Sequence, residues 1–399
     1  MILRWFLSKT VRQAVDLRGQ VVKLLNAQRD ILSTEAVQAI EAGACELQKA
    51  IATGADKKAL LAAMEEAEKV ANKWLKPYPS ASMRENVEVV LVAIAVAMGV
   101  RTFFLQPFKI PTGSMQPTLY GITHVDHRGD PNYRMPTGFG AFVDSWFRGV
   151  SHYRVVAEAD GEFADEFTDV RKPQMVFPFV HKQQFRVGGV WYSVWFPPDQ
   201  LFGGENRSGI TRGQSFRKGD DILNLSVITG DHLFVDRMSY NFRRPRRGEI
   251  IVFETKGIEG LPQDQFYIKR MVAIGDEHVR LGNDRHLRIN GVRLDSATPH
   301  FENVYHFTGQ PRRNEYSGHV NEFVARESGR HSLAPKFMDE TQEFVMRPQH
   351  YLVMGDNTMN SHDSRAWGDF SQTNVIGKSC FVYWPFSSPT GSRFGWSHR

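Results

Sequence analysis

Ser114, Lys269 and the polar run Gly355 to Arg365 are the parts of this 399-residue chain whose side chains could do chemistry together. Ser114 sits in KIPTGSMQPTL, between Gly113 and Met115 and fenced by Pro111 and Pro117, so its backbone belongs to a constrained turn. A hydroxyl held on a stiff turn is a candidate nucleophile, although Pro-Thr-Gly-Ser taken alone is also ordinary turn chemistry. A serine nucleophile needs a base. No histidine stands in a recognisable triad context, which leaves a serine–lysine pair. The lysine best placed for it is Lys269 in QFYIKRMVAIGD, where strand alternation puts Tyr267, Met271 and Ala273 on its face and Ile268, Arg270 and Val272 on the other. An amine of ordinary pKa ~10.4 is neutral in only about one molecule in a few thousand at pH 7, so a lysine base must be desolvated by about 3 pH units or more. Read by itself, the segment also fits a surface strand with a snorkelling lysine. In the third block, GDNTMNSHDSR, Asp363 and Arg365 offer a charge-assisted pair, and Ser361 offers a hydroxyl able to orient an amine.

The elements around these residues follow from periodicity. Val87 to Leu105 is an apolar run carrying only Glu88 and Arg101. As a helix it would be roughly 28 Å long, close to the hydrocarbon thickness of a bilayer. The spacing therefore predicts one transmembrane helix at 85–106, with Arg101 snorkelling to the interface. Lys69, Lys73, Lys76 and Arg84 precede this run, and Lys109 alone follows within the same distance. That asymmetry places residues 1–84 in the cytoplasm and 107–399 outside. Within 1–84, MILRWFLSKTVRQAV reads as an amphipathic helix at the inner membrane face. A heptad seam runs through Val37, Ile40, Ala44, Leu47 and Ile51, then Leu60, Met64, Ala67, Ala71 and Trp74. Gly54 breaks it, and Pro77 and Pro79 end it, which predicts a helical hairpin at about 34–75 and a helical partner for it. Beyond the span, short β-rich runs recur at Gly189–Phe196, His232–Asp236, Glu249–Phe253, Phe266–Ile274, Tyr351–Met354 and Ser379–Trp384, the pattern of a largely antiparallel β-domain.

Composition excludes several other classes. Aromatic residues make up 12% and charged residues 23%, which is a folded chain. A net charge of +5 without a basic stripe interleaved with aromatics does not call for nucleic acid. The densest basic cluster, Arg243, Arg244, Arg246 and Arg247 around Pro245, reads as a solvated hairpin loop, or as a contact to anionic headgroups if it faces the membrane. Cys45 and Cys380 cannot build a disulfide framework. His124 and His127 have ligand-like spacing but no acidic or cysteine partner in register, so no metal or organic cofactor is expected.

Taken together, RTFFLQPFKIPTGSMQPTLYG (Arg101–Gly121), the blocks GDHLFVDR, RRGEIIVF and YIKRMVAIGDE (within 230–291), and GDNTMNSHDSRAWGDF with GKSCFVYWPF (within 350–386) resemble the type I signal peptidases, the membrane-bound serine–lysine proteases of bacteria. The blocks cover roughly a third of the chain, in the family's order and with the apolar anchor immediately before the serine. The resemblance implies a mainly β, signal-peptidase-like catalytic domain of two antiparallel-sheet regions, and cleavage of exported preproteins after small residues at the outer face of the cytoplasmic membrane. It implies Ser114 as nucleophile, Lys269 as general base, and an oxyanion hole made by the Ser114 N–H and the Thr112 hydroxyl, where the family commonly has serine. Ser361 would hydrogen-bond the lysine amine, Asp363 and Arg365 would brace its loop, Arg270 would support the strand, and Met115 would face the membrane. The chain departs from the pattern at Thr358 and Met359, where the loop often carries Arg and Asp. It departs again at about 122–229, which reads as an inserted β-rich subdomain, and in its N-terminal helices. Two alternatives stay open: a relative with a narrow substrate set selected by the insert, and a catalytically silent, membrane-anchored peptide-binding β-domain.

Overall fold

The computed structural model describes residues 8–76, 81–168, 181–203, 206–306 and 318–396. The first residues of the N-terminal amphipathic stretch, and Pro77 and Pro79, lie outside them. The chain divides into two compact units, residues 1–96 and 97–399.

In the first unit, α1 (Lys9–Gln28), α2 (Thr34–Thr53) and α3 (Lys57–Trp74) pack together. Their ends are written in the sequence. Ser8, Ser33 and Asp56 each accept a backbone N–H of the first turn through the side chain, and Gly54 closes α2 at φ 72°. Ile40, Ala44 and Leu47 of the seam are buried, as are Leu60, Ala67 and Ala71. Val11, Ala14, Val21 and Leu25 of α1 are buried in the same cores, so the apolar stripe of the described first helix is used between helices. The helix that follows, α4 (Ala81–Phe103), contains Met83–Phe103, the one stretch among the described residues long and apolar enough to cross a membrane, and none of it is buried.

The second unit is mainly β and wholly antiparallel in its pairing. Its principal sheet runs β1 (Leu105–Lys109), β9 (His232–Asp236), β18 (Val375–Trp384), β10 (Ile250–Glu254), β11 (Phe266–Ile274), β16 (His350–Met354) and β17 (Phe370–Ser371), with β19 (Gly395–Trp396) paired to β18. A second sheet orders β14 (Val292–Arg293), β13 (Leu287–Ile289), β12 (His278–Leu281) and β15 (Glu343–Val345). The interval at about 122–229 contributes two more. These are β2 (Thr123–Asp126), β8 (Asp221–Ile228) and β3 (Val150–Val156), and β6 (Val190–Trp195), β5 (Lys182–Val187), β4 (Gly161–Phe167) and β7 (Ser215–Phe216). They enclose an apolar core of their own, including Phe163, Phe185, Tyr192, Phe202 and Leu223. Among the described residues two sheets thus lie outside this interval and two within it, and the interval carries enough inward-facing aromatics to fold around itself.

Lys269 lies on β11, opposite Ile251 of β10. On the other side of β11, pairing with β16 begins at Arg270, opposite Met354, so the loop that leaves β16 at Gly355 emerges next to Lys269. Two registers therefore carry the 355–365 loop to the lysine.

Candidate active site

Ser114 is the middle residue of a single 3-10 turn, Gly113–Met115. The turn is seated by Met115 and Leu119, which are buried with Ile110, Leu233, Val235 and Ile250. This corrects the expectation for Met115: it points into the core, because an apolar side chain beside the turn has a hydrophobic cluster to enter and no reason to stay on a surface. Gly121 lets the chain return across Thr112, where a Cβ would come within 2.2 Å of the Thr112 carbonyl oxygen.

Ser114 Oγ and Lys269 Nζ are hydrogen-bonded at 2.7 Å, although 155 positions separate them in the chain. The amine also donates to the Ile268 carbonyl at 3.1 Å. Both side chains are buried, Lys269 to 5% exposure. Burial pulls the lysine pKa down to about 8; the carboxylates of Asp363 and Asp356 pull it back up, and the Arg365 charge pushes it down. A lysine at about 8 is neutral in about a tenth of molecules at pH 7, against about one in a few thousand without the shift. Ser114, Lys269, Thr112 and Ser361 line one cavity of about 500 Å³, walled on its apolar side by Phe266, Tyr267 and Leu333. Thr112 immediately precedes the turn, makes no side-chain cap there and lines the cavity.

Ser361 is placed differently from the expectation. The Lys269 amine is turned toward Ser114 and the Ile268 carbonyl, and the buried Ser361 hydroxyl has no hydrogen-bond partner among the described residues. Asp363 and Arg365 are completely buried and joined by two bonds of 2.9 Å, while the Gly355 N–H donates to Asp363 at 2.9 Å. Burial alone would raise the Asp363 pKa, but Arg365 and these donors hold it at about 2. Arg365 also donates to the Thr358 hydroxyl at 2.7 Å and the Thr358 carbonyl at 2.8 Å. The threonine that departs from the family's common pattern is thus part of the arginine's cage.

Arg270 makes a second buried pair, 2.8 and 2.6 Å to Asp356, and donates to the carbonyls of Gly248 at 2.8 Å and His300 at 2.6 Å. Asp356 itself and two of its neighbours, Thr118 and Asn357, carry no role in the expectations from sequence. Asp356 accepts from the Thr118 hydroxyl, which ties the segment after Ser114 to the loop. Asn357 clamps the serine turn itself, with its side chain on the Gly113 carbonyl at 3.0 Å and its backbone N–H on the Ser114 carbonyl at 3.1 Å. The sequence signal for Asp356 and Asn357 is the run Gly-Asp-Asn directly after an apolar strand, but Thr118 and Gly113, which they hold, lie more than two hundred positions away. Gly355 permits the approach: a Cβ there would stand 2.2 Å from Ser361 Oγ and 2.5 Å from the Ser114 carbonyl oxygen.

Elsewhere, His127 stacks on Tyr133 and bonds Ser226 at 2.8 Å, so it has a structural occupation. Among the described residues no group of three His, Cys, Asp or Glu is placed to hold a metal ion. Both cysteines are free.

Residues 83–128 and 223–384, just over half of the chain, match the family described as signal peptidase, peptidase S26; the match passes over 129–222. The probable signal peptidase I-1 of Synechocystis sp. is 30% identical over 170 residues, covering 42% of this chain and 69% of the relative. The signal peptidase I of Leptolyngbya laminosa is 29% identical over 165 residues, covering 40% of this chain and 63% of the relative. Among solved structures, a signal peptidase I from Enterococcus faecalis is 26% identical and covers 34% of this chain and 97% of its own, with a TM-score of 0.23. The matched segments are those that hold Ser114, Lys269 and the Gly355–Arg365 loop, and the chain belongs to the S26 signal peptidase family.

Proposed function

We propose that this protein is a membrane-anchored endopeptidase that removes signal peptides from exported preproteins, with Ser114 as nucleophile and Lys269 as general base. The observation that carries the reading is the 2.7 Å contact between a serine hydroxyl and a buried lysine whose pKa is brought down to about 8. In its neutral form the amine accepts the Ser114 proton as Oγ attacks the scissile carbonyl carbon. The resulting oxyanion is met by the Ser114 N–H and the Thr112 hydroxyl. The protonated amine then returns the proton to the leaving amine nitrogen, and the acyl-enzyme is released by a water activated the same way. The pairs Arg270–Asp356 and Asp363–Arg365 act on this dyad by position. They fix β11 and the loop on either side of the lysine, and their carboxylates keep its pKa from falling further.

In this reading α4 spans the cytoplasmic membrane once, with residues 1–84 inside. An apolar helix with no protein to cover it favours lipid over water. The anchor delivers the serine turn close to where a signal peptide's own apolar segment brings its cleavage site. The test uses purified full-length protein in detergent and a defined preprotein. Ser114→Ala and Lys269→Ala should each reduce cleavage by at least a thousandfold while a serine-directed acyl probe no longer labels either variant. Normal processing by either variant refutes the assignment.

A further inference from the structure

Four arginines, Arg243, Arg244, Arg246 and Arg247, precede β10, and the proposed mechanism uses none of them. The chain turns through a short helix, α5 (Ser239–Phe242), before entering β10. Its place is fixed at the end of the apolar helix. Asp236 pairs with Leu105, the Arg237 N–H donates to the Phe104 carbonyl at 3.0 Å, and Asp236 accepts the N–H groups of Met238 and Ser239 at 2.9 and 3.0 Å. Phe242, at the tip, is 81% exposed, and Phe103 across the strand pair is 67% exposed.

Two of the arginines are neutralised internally. Arg243 forks onto Glu249 at 3.0 and 2.5 Å, with Lys378 also 3.8 Å from that carboxylate, and Arg247 pairs with Glu277. No ion pair to Arg244 or Arg246 occurs among the described residues; Arg246 donates its backbone N–H to the Glu249 carboxylate and accepts the Glu249 N–H at its carbonyl. Arg244, Phe242, Tyr240 and Tyr351 line a cavity of about 380 Å³ at this corner. The Arg244 guanidinium, an exposed phenylalanine and a small cleft thus stand together near where the apolar helix ends, with Arg246, likewise without an ion pair among the described residues, two positions further on.

We infer that this corner is a docking site for the phosphate headgroup of an anionic membrane lipid. Arg244 and Arg246 take the phosphate oxygens, and Phe242 enters the acyl boundary beside Phe103. Guanidinium groups bind phosphate through paired N–H donors, and each basic side chain near an anionic surface strengthens attachment severalfold. The inference rests on α4 being a membrane span.

The test is retention of phosphatidylglycerol, compared with phosphatidylcholine, by full-length protein released from detergent into a native mass spectrometer. Phosphatidylglycerol should be retained preferentially. The double variant Arg244→Gln/Arg246→Gln should lose that preference about tenfold, Arg244→Lys/Arg246→Lys should keep most of it, and Phe242→Ser should lose part. Equal retention of the two lipids, or an unchanged preference in the double glutamine variant, overturns the site. Displacement of the lipid by an equal concentration of inorganic phosphate also overturns it, since the site would then serve the free ion. Extraction of membranes with carbonate separates the two readings. Protein that stays in the membrane but shows no headgroup preference refutes the site alone, and protein released by carbonate refutes the span.

Discussion

Replacing Lys269 by methionine should abolish activity and make the protein more stable at neutral pH. The wild-type amine is held at about 8 instead of 10.5 because burial disfavours its charge. At 1.36 kcal/mol per pH unit this is a cost of about 3 kcal/mol. Below pH ~8 the amine is protonated both folded and unfolded, so the folded state bears the whole cost. As pH rises from about 8 toward 10.5, only the unfolded chain stays charged, and the cost fades. Methionine nearly conserves volume and carries no charge, so it removes the penalty at every pH. It also removes the bonds to Ser114 and the Ile268 carbonyl, worth about 1 kcal/mol each, which leaves a net gain of about 1–3 kcal/mol at pH 7. In a calorimetric scan of the detergent-solubilised protein this corresponds to several degrees in the melting of the β unit. The wild type should close most of that gap between pH 8 and 10. A variant less stable than wild type at pH 7, or one whose stability changes with pH in parallel with the wild type, would refute the account of a desolvated lysine.

The same pKa sets the rate: kcat/KM should rise with pH through an acid limb near 8, where the dyad's amine loses its proton, and an acid limb near 10 would show that the lysine is solvated. Arg270→Met leaves the Asp356 carboxylate buried without its partner and should cost about 3–5 kcal/mol, read as a fall in melting temperature. Gly355→Ala forces a Cβ against Ser361 Oγ and the Ser114 carbonyl. It should lower kcat more than tenfold with a melting temperature reduced by only a few degrees, since the clash falls on the serine turn and not on the sheet.

Much of the local order was legible in the linear chain. Ser33, Gly54 and Asp56 act as helix caps because capping depends on neighbours in sequence, and β9 and β11 begin and end where alternation and turn residues place them. The residue types of the site could also be chosen, since a turn-bound serine, a lysine among apolar residues and a polar loop are each local patterns. Their assembly was not legible. That Asn357 holds the Ser114 turn, that Asp356 joins Arg270 to Thr118, and that the Lys269 amine meets Ser114 and the Ile268 carbonyl and not Ser361 are outcomes of strand register. The packing of α1 belongs with these, because an amphipathic stripe states only that something covers it, and neighbouring helices cover its described residues. The sequence by itself determined which side chains could react and which stretch could enter a bilayer, because these are properties of composition and period. Only the tertiary structure decided that Lys269 is dry and its pKa brought down to about 8, because desolvation is set by everything packed around it.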